Sequence, residues 1–355
     1  MNSMLWEGSK MTVEEARTRA IADRILTKGI LGEKEEPTVG TTLVAEKQPG
    51  IFPDIDSAVI AARKSQEALA SIPAEKRQEI IEAVRNAGRK NADALSKLAV
   101  RETGLGRIED KIKKNLLVSN FTPGTEDLKP IAFSGGHGLT ITERVPYGVV
   151  GSITPVTNPS ETIINNGIGN IAAANAVIFC PHPKAKQVSL HTIALINREI
   201  VESGGPENLL LAIEEPNIGA DQELMRHPGI DLLVVTGGSD VVTKAKRSGK
   251  RVIAAGPGNP PVVVDETANI EKAGKEIVGG ASLDNGIFCT DEKEVFVVDS
   301  VCDQLKEEMK KNKAFELNSH QGERLRRLVL EEEKGRNIPS VVNRDLVGKD
   351  AGEYR

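Results

Sequence analysis

From Gly148 onward the chain alternates short apolar runs with longer amphipathic stretches. The apolar runs predict β-strands at Gly148–Thr154, Ala176–Cys180, Leu209–Ile213, Asp231–Thr236 and Val252–Ala255. The stretches between them predict helices at Thr162–Ala174, Lys186–Glu202, Ile218–Arg226 and Ser239–Arg247. Short apolar strands separated by helices are typical of a parallel sheet that is covered on both faces. The sequence therefore predicts an α/β fold built on a doubly wound parallel sheet.

Ligands of such sheets bind beyond the carboxyl ends of the strands. The loops that follow the predicted strands there are Pro155–Pro159, Pro181–Pro183, Thr236–Ser239 and Ala255–Pro261. The G-x-G-x-x-G fingerprint does not follow the first strand. Thr236, Gly237, Gly238 and Ser239 stand in its place, and their small side chains would let a helix N-terminus approach a pyrophosphate. We also expect Pro181, His182 and Pro183 to form one wall of an adenine pocket, with a surface loop residue as the favoured interpretation of His182 on its own.

Outside the sheet the pattern predicts three further parts. Residues 11–29 form an amphipathic helix that either packs on a protein surface or acts as a detachable docking peptide, and both readings stay open. Residues 32–50 are rich in glycine and proline and read as a linker. Residues 56–103 are helical, with Asp56 and Ser57 as caps of the first helix and a longer helix from Ala74 to Ala99. An exposed strand is expected at Leu139–Val145.

These patterns divide the chain into an N-terminal docking segment (1–31), a linker (32–50), a dinucleotide-binding domain (51–255) and a second α/β domain (256–355). The second domain includes a strand at Pro261–Asp265 and another at Glu294–Val298. The last residues form no terminating element, so this domain is expected to be C-terminally truncated.

Composition excludes several classes of function. The net charge of −5 is interspersed along the chain and aromatic residues make up only 3%, which argues against nucleic-acid binding. No apolar run is long enough for a membrane span, and the start of the chain lacks a secretory pattern. Three scattered cysteines predict no disulfide framework and indicate a reducing, cytoplasmic compartment. The histidines form no cluster with the cysteines, so no metal site is expected.

The best candidate for chemistry is Cys289, which follows the turn Asp284-Asn285-Gly286. A cysteine beside Phe288 is more often a buried structural residue. The polar turn and the position just past the cofactor loops favour a nucleophile instead. Asn158 before Pro159 reads as a helix cap, and the alternative is that Thr157 or Asn158 donates to a substrate oxyanion.

Six segments together resemble the aldehyde dehydrogenase superfamily, and within it the CoA-acylating enzymes of bacterial microcompartments that act on acetaldehyde and propionaldehyde. They are Gly148–Pro159, Asn175–Pro183, Gly204–Leu209, Val234–Ser239, Ala255–Asp265 and Asp284–Cys289. The resemblance runs in order from about residue 50 to the last residue.

The resemblance implies a role for each site residue. Cys289 matches the nucleophile that forms a thiohemiacetal and then an acyl-thioester, with its backbone N–H and Thr157 or Asn158 stabilising the oxyanion. Thr236–Ser239 match the pyrophosphate turn, and Thr154 and Pro155 match the loop near the nicotinamide. NAD and coenzyme A are the implied cofactor and co-substrate.

Two departures from the hydrolytic members are informative. Ala255, followed by Gly256, stands where those members carry a glutamate general base, so the acyl group would wait for the thiol of coenzyme A. Cys180 and Pro183 replace the lysine and glutamate that hold the adenosine ribose, so the choice between NAD and NADP stays open.

The resemblance also implies partners and a location. These are a short aliphatic aldehyde, a microcompartment shell protein that contacts residues 11–29, a homo-oligomer when full length, and the cytoplasm or the microcompartment lumen. The alternatives are a semialdehyde dehydrogenase of the same superfamily and a catalytically inactive nucleotide- or shell-binding fragment.

Overall fold

The computed structural model describes residues 48–331 and 341–354. Its strands, in chain order, are β1 (Ile51–Phe52), β2 (Ile131–Gly135), β3 (Gly138–Thr142), β4 (Val149–Thr154), β5 (Ala176–Pro181), β6 (Leu210–Ile213), β7 (Leu232–Thr236), β8 (Val252–Ala255), β9 (Pro261–Val264), β10 (Glu294–Val297), β11 (Leu330–Glu331) and β12 (Val341–Val342). Its helices are α1 (Ile55–Ala70), α2 (Ala74–Thr103), α3 (Ile108–Phe121), α4 (Pro159–Ala172), α5 (Lys186–Glu202), α6 (Ile218–Arg226), α7 (Ser239–Lys246), α8 (Ile270–Ala281), α9 (Asp299–Lys311) and α10 (Ser319–Val329). Short 3₁₀ turns cover Thr125–Leu128, Pro183–Ala185, Leu283–Gly286 and Ala351–Tyr354.

The main sheet has six parallel strands in the order β1-β6-β5-β4-β7-β8. The chain moves outward from β4 through β5 and β6 on one side, and through β7 and β8 on the other. This arrangement is a doubly wound sheet with its switch point between β4 and β7. The predicted fold class is confirmed.

Two apolar cores cover the faces of this sheet because its central strands are apolar on both sides. One core joins the sheet to α2, α4 and α5, with Phe179 and Ile164 wholly buried. The other joins it to α1, α6 and α7 through residues such as Ile178 and Leu224. The sheet is therefore a rigid base for the loops at its carboxyl edge.

Several predicted boundaries need correction. The cap of α1 is Asp54, whose side chain accepts from the Ser57 N–H, and neither Asp56 nor Ser57 has that role. The long helix α2 continues to Thr103, where Gly104 adopts a left-handed conformation with φ 68°. The exposed strand expected at 139–145 is one half of the hairpin β2–β3. Helix α3 was not predicted.

The chain after residue 256 forms a smaller α/β unit. Strands β9 and β10 pair in parallel, and α8 and α9 pack on them through Val264, Ile277 and Leu305. The opposite face of this pair exposes Val263 and Phe296. The boundary at residue 256 stays a prediction, because β8 leads directly into this unit.

Residues 1–31, predicted as a docking segment, and most of the 32–50 linker lie outside the described residues. Within the described part, no helix has both the length and the apolar character needed to span a bilayer.

Candidate active site

Four neighbouring strands end at one edge of the sheet, and each carries a predicted cofactor residue there. Thr154 and Pro181 are register partners at the ends of β4 and β5, so Pro181 is part of a strand and not of the following loop. Thr236 and Ala255 are register partners at the ends of β7 and β8. The topology therefore brings together the residues that the sequence placed at this edge.

Thr154 is the most informative residue of this edge. Its side chain is buried, and its hydroxyl oxygen has no hydrogen-bond partner among the described residues. Because buried hydroxyls are nearly always paired, this one fits a ligand contact. Pro155 follows it and is half-buried.

The predicted pyrophosphate turn has the geometry of an open helix N-terminus. Gly237 donates its N–H to the Ala255 carbonyl oxygen at 3.2 Å, which ties the ends of β7 and β8 together. Gly238 occupies the cap position of α7 without any side-chain cap, and no atom lies within 4 Å of the place its Cβ would take. Ser239 begins the helix and is exposed, as is Gly256 beyond β8. The first N–H groups of α7 can therefore receive a phosphate oxygen.

The loop at the end of β5 is also open to solvent. His182 and Pro183 are exposed, and His182 accepts the Lys184 N–H through Nδ1 at 3.1 Å. This bond makes His182 the cap of a short 3₁₀ turn. The structure thus gives His182 a local structural role and leaves its predicted contact with adenine as a prediction.

Asn158 occupies the cap position of α4, with Pro159 at the first turn as predicted, but its side chain makes no capping bond. Its Oδ1 instead accepts from Lys114 Nζ at 2.5 Å, and its Nδ2 donates to the Thr157 hydroxyl at 3.1 Å. The residue is buried, whereas Thr157 is half-buried. The capping interpretation of the Asn158 side chain is therefore wrong.

Two lysines of α3 connect this loop to the cysteine turn. Lys111 Nζ donates to the Thr157 carbonyl oxygen at 2.8 Å and to Asp284 Oδ2 at 3.0 Å. Lys114 Nζ donates to the same Asp284 oxygen at 2.5 Å. Both lysine side chains are buried, and burial lowers the pKa of Lys111. The shared carboxylate compensates two buried charges.

The turn before the cysteine, which the sequence predicted as a polar turn, is anchored by buried contacts. Asp284 is wholly buried and accepts the Arg107 N–H through Oδ1 at 2.7 Å. Its own N–H donates to Asp110 Oδ2 at 3.0 Å. Asp284, Asn285 and Gly286 all have positive φ, at 50°, 60° and 67°. Such a run of left-handed residues persists only where surrounding contacts hold it.

Cys289 is an exposed free thiol after this turn, so the interpretation as a buried structural cysteine is wrong. Phe288 lies against Lys114, whose Nζ is 5.2 Å from the centre of the ring. On the other side, a Cβ added to Gly258 would collide with the Cys289 carbonyl oxygen. The cysteine backbone is therefore held between α3 and the loop that follows β8.

A second carboxyl group stabilises the cysteine turn. Asp291 is buried, and its Oδ2 accepts the Phe288 N–H at 3.1 Å while its own N–H donates to the Phe288 carbonyl oxygen at 3.1 Å. Burial raises the pKa of Asp291 to about 6, and the charge of Lys293 opposes this effect in part. The loop Phe288–Asp291 is thus closed by two hydrogen bonds around the thiol.

Sequence reasoning missed the residues that organise this site, namely Lys111, Lys114 and Asp291. Lysines three apart share one face of a helix, but this spacing gave no signal because helix α3 itself was not predicted. The described residues contain no group of three or more histidine, cysteine, aspartate or glutamate side chains that could hold a metal ion.

Comparisons with known proteins identify the family of the chain. The sequence profile of the aldehyde dehydrogenase family matches residues 33–322, and the chain belongs to this family. It is 48% identical to the acetaldehyde dehydrogenase (acetylating) EutE of Salmonella typhimurium over 331 residues, which cover 92% of this chain and 69% of the relative. The resemblance predicted from the sequence is confirmed.

Two solved structures are similar over most of the chain. One is a propionaldehyde dehydrogenase from the fucose utilisation microcompartment of Clostridium phytofermentans, with a TM-score of 0.79 and 42% identity over 86% of this chain and 69% of that one. The other is the propionaldehyde dehydrogenase of Rhodopseudomonas palustris with bound CoA and an acylated cysteine, with a TM-score of 0.79, 43% identity and the same coverage.

Proposed function

We propose that the protein is an acylating aldehyde dehydrogenase, which converts a short-chain aldehyde, NAD and coenzyme A into an acyl-CoA and NADH. The observation that carries the proposal is the exposed thiol of Cys289, in a turn that Lys114 connects to the amide of Asn158. Relatives named for acetaldehyde acetylation and a structural neighbour with CoA and an acylated cysteine support it.

Cys289 is the nucleophile of the reaction. Its thiolate adds to the aldehyde carbon, a C–S bond forms, and the carbonyl electrons move onto oxygen. The Nδ2–H of Asn158 and the backbone N–H of Cys289 stabilise this oxyanion, with Thr157 holding the amide in place. When the C=O bond re-forms, the carbon loses a hydride and becomes an acyl-thioester. The thiol of coenzyme A then attacks this carbon, and the Cys289 thiolate leaves.

The edge of the sheet fits a dinucleotide. NAD supplies the acceptor for the hydride. Its pyrophosphate would be held by Thr236, Gly237, Gly238 and Ser239 at the start of α7, because the helix N-terminus there is uncapped and open. The unpaired hydroxyl of Thr154, beside Pro155, would face the nicotinamide end.

The absence of a base at the end of β8 favours a thiol acceptor over water. Ala255 and Gly256 carry no carboxylate, and no acidic residue occurs between residues 252 and 261. Asp291 is the carboxyl group nearest to Cys289 along the chain, but it is buried and its Oδ2 accepts a hydrogen bond from the Phe288 N–H. The acyl-thioester should therefore persist until coenzyme A arrives.

The same relatives support a location and partners. We propose residence in the cytoplasm or in a microcompartment lumen, where residues 11–29 would contact a shell protein, and assembly as a homo-oligomer. The microcompartment origin of a similar structure supports the proposed lumen location and shell contact. Deleting residues 1–31 from a fluorescent fusion should abolish its encapsulation and leave acylation unchanged. Encapsulation of the shortened fusion would contradict the docking role.

Mass spectrometry of the intact chain tests the chemistry. After incubation with propionaldehyde and NAD without coenzyme A, a propionyl adduct should appear on Cys289. Adding coenzyme A should remove it and yield propionyl-CoA, whereas water should remove it slowly. The matched control is Cys302→Ser, a half-buried cysteine of α9, which should behave as the wild type. An unmodified thiol, or propionate as the main product, would contradict the proposal. Faster acylation by succinate semialdehyde would favour the semialdehyde alternative.

A further inference from the structure

The buried face of α3 is polar, which is unusual for a helix packed inside a protein. It presents Lys111, Lys114, Asn115 and Ser119 to the interior, together with part of Asp110. Burying an ammonium group is costly unless it is paired. Lys114 contacts both Asn158 and the turn before Cys289, so the role of this buried charge is expected in the candidate active site.

Lys114 determines which way the Asn158 amide points. An ammonium group only donates hydrogen bonds, so it can contact the amide only through Oδ1. The observed 2.5 Å contact is of this kind, and it fixes Nδ2 on the opposite side. One Nδ2 hydrogen is used by the Thr157 hydroxyl at 3.1 Å. The second hydrogen is the donor that an oxyanion needs.

The surroundings of Lys114 would otherwise reverse this orientation. Asp284 Oδ2 lies 2.5 Å from Nζ, and Glu161 Oε1 lies 3.8 Å from it. Glu161 Oε1 is buried and has no hydrogen-bond partner among the described residues. Without the lysine, two carboxylates would face Asn158, and carboxylates accept from an amide N–H₂ group. The amide would then turn its donor inward, away from the substrate.

Lys114 also couples the amide to the nucleophile turn. The same ammonium group donates to Asp284, which starts the left-handed run, and lies over the ring of Phe288, which precedes Cys289. A single buried charge therefore contacts both the amide and the turn that carries the thiol, and the Arg107 N–H and Lys111 also hold this turn through Asp284.

We propose that Lys114 is a positioning residue for the reaction, which holds Asn158 with its amide N–H₂ group directed toward the substrate oxygen. The inference rests on the proposed function, because it assigns Asn158 the oxyanion role. Lys114 does not itself touch substrate and acts through Asn158.

The first test is structural and needs no turnover. A crystal structure of Lys114→Met should show the Asn158 amide rotated, with Nδ2 within hydrogen-bond distance of Asp284 or Glu161. An amide that keeps Nδ2 on Thr157 and Oδ1 toward position 114 would overturn the proposal, whatever the activity of the chain.

The second test is a double-mutant cycle on the rate of Cys289 acylation by propionaldehyde and NAD in a single turnover. Lys114→Met and Asn158→Ala should each slow acylation about 100-fold or more, the usual effect of losing one oxyanion donor. The double variant should be no slower than Asn158→Ala alone, because Lys114 acts through that residue. Multiplied effects would mean a separate, structural role and would overturn the proposal.

Controls separate the inference from the proposed function. Lys97→Met makes the same change on an exposed lysine of α2 and should leave the rate unchanged. Alkylation of Cys289 by iodoacetamide involves no oxyanion and should be within about threefold of wild type in Lys114→Met. If Asn158→Ala is acylated as fast as the wild type, the oxyanion role of Asn158 in the proposed function is refuted. The crystal structure of Lys114→Met would still show whether Lys114 orients the amide.

If Lys114→Met does not fold, Asn158→Asp provides the test. A carboxylate at position 158 still accepts from Lys114 and cannot donate. This variant should lose acylation about 100-fold or more, whereas its Cys289 should still be alkylated by iodoacetamide within about threefold of the wild-type rate. Retained acylation would overturn the proposal.

Discussion

Asp291 allows a prediction of how stability depends on pH. Burial raises the pKa of this carboxyl from its ordinary 3.8 to about 6, so the folded protein binds the proton more tightly than the unfolded chain does. Ionisation therefore costs the folded state free energy. Stability should fall as the pH rises from about 4 through 6, and it should level off above that range.

Asp291→Asn removes this dependence while it keeps the shape of the loop. The amide oxygen can still accept the Phe288 N–H, which the carboxylate accepts at 3.1 Å. The difference between a pKa of 3.8 and one of about 6 corresponds to about 3 kcal/mol of free energy of unfolding. About half of it, ~1.4 kcal/mol, falls between pH 5 and pH 8.

Urea unfolding of the two proteins at pH 5 and pH 8 checks the reasoning. The wild type should lose about 1.4 kcal/mol more than Asp291→Asn between these two values. Asp127→Asn, a change at an exposed carboxylate, is the matched control and should follow the wild type. If Asp291→Asn and the wild type lose the same free energy over this interval, the buried carboxyl does not carry the cost assigned to it.

Three further substitutions test the contacts around the site. Asp284→Asn keeps the left-handed turn but leaves buried Lys111 without its carboxylate partner and Lys114 with only Glu161, 3.8 Å from its Nζ. The free energy of unfolding should therefore fall by about 3–5 kcal/mol, against less than about 1 kcal/mol for the exposed control Asp93→Asn. Gly106→Ala should cost about 2 kcal/mol or more, because φ is 75° and the new methyl group meets Asp284, whereas Gly136→Ala meets no atom within 4 Å and should stay within about 0.5 kcal/mol. Gly238→Asp should cap α7 and preserve thermal stability. Its negative charge should repel the pyrophosphate and weaken NAD binding, measured by calorimetry, at least about tenfold. The uncharged cap Gly238→Asn should bind NAD as the wild type does. Each argument is contradicted if its variant and its control give the same result. The result compared is the loss of free energy of unfolding for the Asp284 and Gly106 variants, and the NAD affinity for Gly238→Asp and Gly238→Asn.

The sheet could be predicted from the sequence because its strands are buried on both faces. Val149–Thr154 and Ala176–Pro181 are buried at every position, and so neither shows the regular alternation of apolar and charged residues that a half-exposed strand has. Proline or glycine follows the ends of several of these runs, which sets the boundaries within a residue or two. The residues at the carboxyl edge then follow from topology alone.

Helix α3 could not be predicted by the same reasoning. Its buried positions are Asp110, Lys111, Lys114, Asn115 and Ser119, so no apolar stripe marks the face that packs inside. Hydrophobic periodicity detects a helix only when burial is apolar. Here ion pairs with residues far along the chain offset the free-energy cost of burial, and a single sequence does not reveal such partners.

The contacts that hold the turn before Cys289 could not be predicted for a related reason. Asp284, Asn285 and Gly286 are residues that favour turns, and the sequence indicated a polar turn. Their left-handed conformations are as expected, but the burial of Asp284 depends on Arg107, Lys111 and Lys114. The sequence led to the prediction of a nucleophilic thiol at this turn, which stays a prediction, and it did not reveal the buried contacts that hold the turn.

The ion pair between Lys114 and Asp284 spans 170 residues of sequence. During translation the lysine leaves the ribosome on the order of 10–30 s before its carboxylate, at rates of about 5–20 residues per second. In that interval α3 has a complete helical segment but lacks the counter-charge that its burial requires. The nascent helix must therefore remain hydrated until the later segment emerges, and the reactive centre cannot assemble before residue 284 has left the ribosome.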